Sequence, residues 1–162
     1  MKLRLATVDD AAALRRIYNR EVEATTHTFD LEPRTLEEQR AWIAEREGAL
    51  GVLVAELDGA VVGFASLSPY RPRAAYRTTV ENSVYVDEAA RGAGVGRALL
   101  EELVRVATQR GFHTIIAHIV GGHEASIGLH HACGFQIVGT EREVGRKFGR
   151  WLDVVVMQRM LP

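Results

Sequence analysis

Cysteine is almost missing from this sequence. Its 162 residues contain one, Cys133, so no internal disulfide can form, and no cysteine/histidine set has zinc-finger spacing. Net charge is almost missing as well: 20 basic residues stand against 21 acidic ones, a formal −1. That balance argues against nucleic acid or a membrane surface as the main partner. No apolar run approaches the roughly 20 residues of a membrane crossing. The opening MKLRLATVDD lacks the apolar stretch of a signal peptide, so a cytoplasmic protein is expected. Repeats, low-complexity tracts and linker-like shifts in composition are also absent, which leaves one expected domain over 1–162. What remains is the make-up of an ordinary globular chain, 47% hydrophobic and 25% charged, with enough interior for a single core.

Hydrophobic periodicity and turn residues predict the order β-α-α-β-β-β-α-β-α-β-β. KLRLAT alternates as a short strand. Thr7 with Asp10, and Thr35 with Glu38, have capping-box spacing ahead of two helical segments,. Asp58-Gly59 between VLVAEL and AVVGFASL is the strongest hairpin signal,. TTVENSVYV is β-branched and aromatic enough for another strand, and Leu99, Leu103 and Val106 share one face of a helix that Gly111 ends,. HTIIAHIV reads as a mostly apolar strand, EASIGLHHAC as a short helix, and FQIVGTE and WLDVVVMQRM as two final strands. This order predicts an α+β fold with helices packed on a mixed, mostly antiparallel sheet.

Between the sixth and seventh elements lies RGAGVG, with Gly92, Gly94 and Gly96 at alternate positions. A Walker loop needs Lys-Ser/Thr after its last glycine, and here Arg97-Ala98 follows. A dinucleotide fingerprint needs a glycine three positions after its second, a spacing this segment lacks. Two readings stay open from the glycines alone. One is an ordinary glycine-rich turn. The other is a helix N-terminus whose free N–H groups and dipole hold a pyrophosphate.

RGAGVG fits the R/Q-x-x-G-x-G/A loop of the GNAT superfamily of N-acetyltransferases. The segments RPRAAYRTTVENSVYV, ASIGLHHACGF and VGRKFGRWLDVVVMQ resemble those of its phosphinothricin and methionine sulfone N-acetyltransferase family. This resemblance implies the GNAT fold and acetyl-CoA as co-substrate, with no metal. Pantetheine would lie along Val84-Tyr85-Val86. The backbone of Gly92, Ala93, Gly94, Val95, Gly96 and Arg97 would hold the pyrophosphate, with Arg91 and Arg97 adding positive charge. His123 stands where the family usually has the asparagine that helps bind CoA; its imidazole can donate one hydrogen bond, or it simply starts a helix.

Two residues are candidates for the chemistry. Alternation puts Glu81 on one strand face with Ser83 and Tyr85, opposite Val80, Asn82, Val84 and Val86, unless the bulge usual in this family shifts the faces. A carboxylate inside such a strand costs free energy unless it is paired or functional. Glu81 is therefore a candidate general base, matching the family's TVE glutamate, or else an ion-pair partner of Arg77 or a solvated edge residue. His130 occupies the position where many GNAT relatives place an acid toward the CoA sulfur; it is either that acid or a packed helix histidine, with Tyr85 as the weaker alternative. Cys133 reads as packing.

The loop before this strand carries Arg71, Arg73, Tyr76 and Arg77, and guanidinium forks suit a carboxylate or phosphinate. Some of these arginines are expected to be plain solvated charges. Phe29, Lys147, Phe148 and Trp151 are expected to complete the substrate pocket, in part from a neighbouring subunit, since the resemblance implies a homodimer; core packing is the other reading for Phe29 and Trp151. The function implied is acetylation of the α-amine of a small amino-acid-like compound, such as phosphinothricin, methionine sulfone or methionine sulfoximine. The alternatives are an acetyltransferase for another small or protein amine and a CoA-binding module with little turnover.

Overall fold

The computed structural model describes residues 1–162. The elements run β1 (Lys2–Leu5), α1 (Ala11–Ala24), α2 (Leu36–Ala44), β2 (Val52–Leu57), β3 (Ala60–Pro69), β4 (Thr79–Val86), α3 (Val95–Gln109), β5 (Thr114–Val120), α4 (Glu124–Ala132), β6 (Gln136–Lys147) and β7 (Arg150–Met160). This is the order expected from the sequence. All seven strands join one sheet in the order β1-β2-β3-β4-β5-β7-β6. Only β4 and β5 are parallel neighbours; every other pair is antiparallel. The fold is α+β.

Local chemistry sets the element ends. At α2, Glu38 N–H donates to Thr35 Oγ1 at 3.1 Å and Thr35 N–H to Glu38 Oε2 at 2.9 Å, which satisfies two otherwise orphan helix donors. At the other expected box, Thr7 N–H donates to Asp10 Oδ2 at 2.8 Å, but a 3-10 turn over Val8–Asp10 precedes α1. Arg4 grips the same carboxylate at 2.8 Å, tying β1 to the helix start. Asp58 and Gly59 both take positive φ, 50° and 80°, as a two-residue hairpin turn requires.

One boundary differs from the sequence reading. β6 runs through Lys147 and turns into β7 at Phe148-Gly149, φ 51° and 70°. Two pairing shifts and a left-handed Glu143, φ 51°, break its alternation, and this hides the hairpin from a period-2 search.

Both faces of the sheet are covered. Leu99, Leu100 and Leu103 of α3 pack with Leu67, Val80, Ile115 and Met157 on one face. Leu14, Ile17 and Tyr18 of α1 and Ile43 of α2 pack with Val54 and Phe64 on the other. Val80, Val84 and Val86 of β4 belong to the first cluster and Tyr85 to the second, so the predicted alternation holds. The family bulge expected to disturb it is not there. β4 pairs with β3 in unbroken register from Val80↔Pro69 to Val86↔Gly63.

The interruption falls on the other edge. β4 and β5 pair only from Thr79↔Thr114 to Glu81↔Ile116. Beyond that point Ala117 to Val120 continue to pair with β7, while residues 82–86 continue along β3. Two backbone edges thus face each other unpaired, and buried backbone groups seek partners.

Candidate active site

The splayed strands open a cavity of about 580 Å³, lined by residues of β4, β5, the glycine turn and the start of α4. Val84, Tyr85 and Val86 form one wall, with Gly92, Gly94, Val95, Gly96 and Arg97 at its end. Gly94 caps α3 in the left-handed conformation, φ 80°, which only glycine takes without strain. None of the turn's backbone hydrogen bonds is donated by residues 92–97; the first helical one runs from Ala98 N–H to Gly94 O at 3.0 Å. A Cβ at Gly92 or Gly94 would meet nothing within 4 Å. Open space, free N–H donors and a helix N-terminus fit a pyrophosphate.

The charges nearby are unequal. Arg91 extends along the wall, donating to Val86 O at 3.2 Å and to Glu21 Oε1 at 2.5 Å. Glu21 is 3% exposed. Burial pushes its carboxyl up, but hydrogen bonds from Thr25, the Arg91 charge and His27 outweigh this and hold it below the ordinary value. Arg97 points outward and pairs with Glu101 at 2.8 Å.

In the middle of the cavity, His123 stacks on His27 with ring centroids 3.6 Å apart and planes 3° apart. Burial, and then the neighbouring His27, push its imidazole down to about 4. Its side chain makes no cap hydrogen bond to α4. His130 is 3% exposed. Its Nδ1 lies 2.8 Å from Ser126 O, to which it can only donate, and its Nε2 lies 2.9 Å from Asn82 Nδ2, from which it accepts. Burial lowers its pKa. The ring is therefore neutral, with both nitrogens engaged and no N–H turned to the cavity. Asn82 is 5% exposed, lines the cavity, and its Oδ1 has no partner. A buried acceptor left open costs about 1–3 kcal/mol, which fits an amide N–H of a bound pantetheine. These are the observations on which acetyl-CoA fits the cavity.

Glu81 sits where β4 and β5 part. Its partner is not Arg77, the ion pair weighed from the sequence. Instead Glu81 Oε1 lies 2.7 Å from His118 Nδ1, with 32% and 30% of the two side chains exposed. The hydrogen bond to Glu81 raises the His118 pKa against the opposing effect of burial. The His118 ring stacks near that of Tyr70, centroids 6.2 Å apart and planes 11° apart. Arg71 lies over Tyr70 at 4.7 Å and over Tyr76 at 5.6 Å. The structure thus brings Glu81, Arg71 and Tyr76 into one neighbourhood. Arg73 caps the 3-10 turn Ala74–Tyr76 through its backbone, and Arg77 follows that turn; both are exposed.

Phe29 is not among the cavity-lining residues. It packs on β6, where a Cβ at Gly145 would collide with its ring. Lys147, 3% exposed, fixes the same loop by donating to Thr28 O at 2.9 Å and Asp30 O at 3.0 Å. Phe148 and Trp151 are 59% and 60% exposed, so neither is core.

Sequence reasoning missed His118, Asn82, Glu21 and His27. For His118 and Glu21 the signal was available, a titratable residue on an otherwise apolar strand or helix face. No set of three or more His, Cys, Asp or Glu side chains is gathered to hold a metal ion, and no helix is long and apolar enough to cross a membrane.

Comparison with known proteins agrees with this geometry. Residues 3–156 match the acetyltransferase (GNAT) domain model. The chain is 44% identical over 161 residues to a phosphinothricin N-acetyltransferase of Alcaligenes faecalis, covering 98% of this chain and 82% of that one. It is 41% identical over 163 residues to an L-methionine sulfoximine/L-methionine sulfone acetyltransferase of Salmonella typhimurium, covering 99% and 95%. The crystal structure of a phosphinothricin acetyltransferase from Sinorhizobium meliloti in complex with acetyl-CoA superposes with a TM-score of 0.96 at 41% identity, covering 99% and 88%. With its splayed β4 and β5, its glycine turn at α3 and these relatives, the chain belongs to the GNAT acetyltransferase family.

Proposed function

We propose that the protein moves acetyl from acetyl-CoA to the α-amine of a small amino-acid-like substrate of the phosphinothricin, methionine sulfone or methionine sulfoximine type. One observation carries the reading: a carboxylate at the strand fork is bonded to His118, with an arginine held over aromatic rings near that histidine, and His118 lines a cavity whose far end is a backbone anion cradle. The names of the relatives support the same substrate class.

When bound, acetyl-CoA supplies an acetyl group activated as a thioester. The N–H groups of residues 92–97 bind its pyrophosphate, with Arg91 adding charge. The free edge of Val84, Tyr85 and Val86 and the open Asn82 Oδ1 orient its pantetheine, and backbone N–H groups of that edge draw electron density from the thioester carbonyl. Glu81 is the centre of proton removal from the substrate ammonium, acting directly or through a bridge. Arg71, with Arg73, holds the substrate carboxylate. His130 serves as a positioning residue that fixes Asn82. We place a second copy of the chain, making a homodimer, against the exposed Val144, Phe148 and Trp151 of the β6–β7 hairpin. A cytoplasmic location suits the use of acetyl-CoA.

Free-thiol release from acetyl-CoA, measured across amino-acid analogues, peptides and polyamines, tests the reading. Turnover should be highest with the free amino acids. Turnover highest with peptides or polyamines would reassign the substrate class.

A further inference from the structure

The fork that places Glu81 also places His118. Parallel pairing stops at Glu81↔Ile116. Two residues further along β5, on the same face as Ile116, stands His118, and its Nδ1 is 2.7 Å from Glu81 Oε1. Nε2 makes no hydrogen bond within the protein, His118 lines the cavity, and about a third of its side chain is open to solvent. The other groups around the ring are few. Tyr70 stacks near it from the end of β3, Arg71 approaches from the loop before β4, and Glu141 from β6 contributes a negative charge. Its β7 neighbour, Val156, cannot titrate. Glu81 can reach solvent or substrate with only the oxygen it does not share with the ring.

We propose that His118 is a further catalytic residue, the bridge between Glu81 and the substrate, with Nε2 taking the proton from the substrate ammonium while Nδ1–H stays bonded to the Glu81 carboxylate. This rests on the function proposed above and assigns its proton path. One ammonium N–H bond breaks, its electron pair remains on nitrogen as the attacking lone pair, and the proton goes to Nε2. Glu81 fixes the tautomer that leaves Nε2 unprotonated and offsets the charge of the imidazolium that forms, the division of labour of a carboxylate–histidine pair. The imidazolium returns its proton to water through its exposed edge, and the second amine proton balances the thiol released.

A lone carboxylate and this pair differ in their pH dependence. The hydrogen bond to Glu81 raises the His118 pKa, with Glu141 adding to it and Arg71 opposing it. The pair can accept a proton only above that raised value. The profile of kcat/KM for methionine sulfone should therefore rise with pH at or above the ordinary histidine range and level off above it. His118→Gln should lower kcat/KM at pH 7 by about a hundredfold or more. Its residual activity should follow only the ionisation of the substrate amine, with acetyl-CoA affinity unchanged by calorimetry. Retention of wild-type turnover and profile in His118→Gln overturns the proposal while leaving Glu81 as a direct base. If His118→Gln does not fold, the wild-type profile decides alone. A flat profile from pH 5.5 up to the amine ionisation overturns the bridge, and a rise through the histidine range supports it. Loss of the proposed function itself reads differently, as absent turnover of amino-acid substrates in the wild type.

Discussion

The two ends of the cavity are built from different materials. At the α3 end the donors are backbone N–H groups of consecutive residues 92–97, with Arg91 adding side-chain charge while Arg97 turns outward to Glu101. At the strand fork His118 lines the cavity and Tyr70, Arg71 and Glu81 gather around it, so the working groups are side chains drawn from three segments of the chain. Backbone donors recognise what all acetyl-CoA-dependent reactions share. Side chains set which amine reacts and where its proton goes. Substitutions at the two ends should therefore fail in different ways.

The largest effect expected on co-substrate binding comes from Gly94→Val. A β-branched residue is strained at φ 80°, costing about 1–2 kcal/mol of stability. Its branched side chain also fills the space before the N–H groups. Losing two charge-assisted hydrogen bonds at about 1.5–3 kcal/mol each should weaken acetyl-CoA by a hundredfold or more in calorimetry. An affinity change no larger than the stability change would make the turn structural only.

Arg71→Ala probes the other end. Removing one charge-assisted hydrogen bond to the substrate carboxylate should raise the KM for methionine sulfone by more than about tenfold, with acetyl-CoA affinity unchanged. A decarboxylated analogue should be a poor substrate of the wild type and no worse for the variant. Equal rates for the amino acid and the amine would leave Arg71 a surface charge on a tyrosine.

The smallest effect concerns His123, which belongs to neither end. Its folded pKa, about 4, lies below the ordinary 6.5 or so of histidine. Between those values the unfolded chain binds the extra proton, so stability falls as pH drops from about 6.5 to about 4 and is then unaffected by this group. Discounted for solvent near the ring, the loss is on the order of 1–2 kcal/mol. Thermal melts of His123→Asn should lose less stability over that window than the wild type; parallel pH curves would contradict the assignment.

The same contrast decides what the sequence could reveal. RGAGVG was legible because a backbone cradle needs closely spaced glycines in one local stretch, with the family resemblance deciding between a cradle and an ordinary turn. Glu81 was legible because a carboxylate stands out in a β-branched strand. The α+β order and the Asp58-Gly59 hairpin followed from periodicity and turn chemistry. His118 stands out in HTIIAHIV as a titratable residue, but its role was not legible, because its partner lies 37 residues earlier and meets it only where β4 and β5 part. The Asn82–His130 bond, 48 residues apart, was hidden for the same reason. Phe29, expected in the substrate pocket by resemblance or else in the core, is 41% exposed and packs on Gly145, with Lys147 pinning its loop to β6.

Glu81→Gln separates the two ends most directly, through calorimetric titration with acetyl-CoA alongside turnover of methionine sulfone. Backbone binding and side-chain chemistry predict unchanged acetyl-CoA affinity, with turnover lower by about two to four decades and the loss shrinking at high pH, where the substrate amine is already deprotonated. Wild-type turnover in Glu81→Gln, or a collapse of its melting temperature together with acetyl-CoA binding, would contradict the account and leave the carboxylate a structural partner of His118.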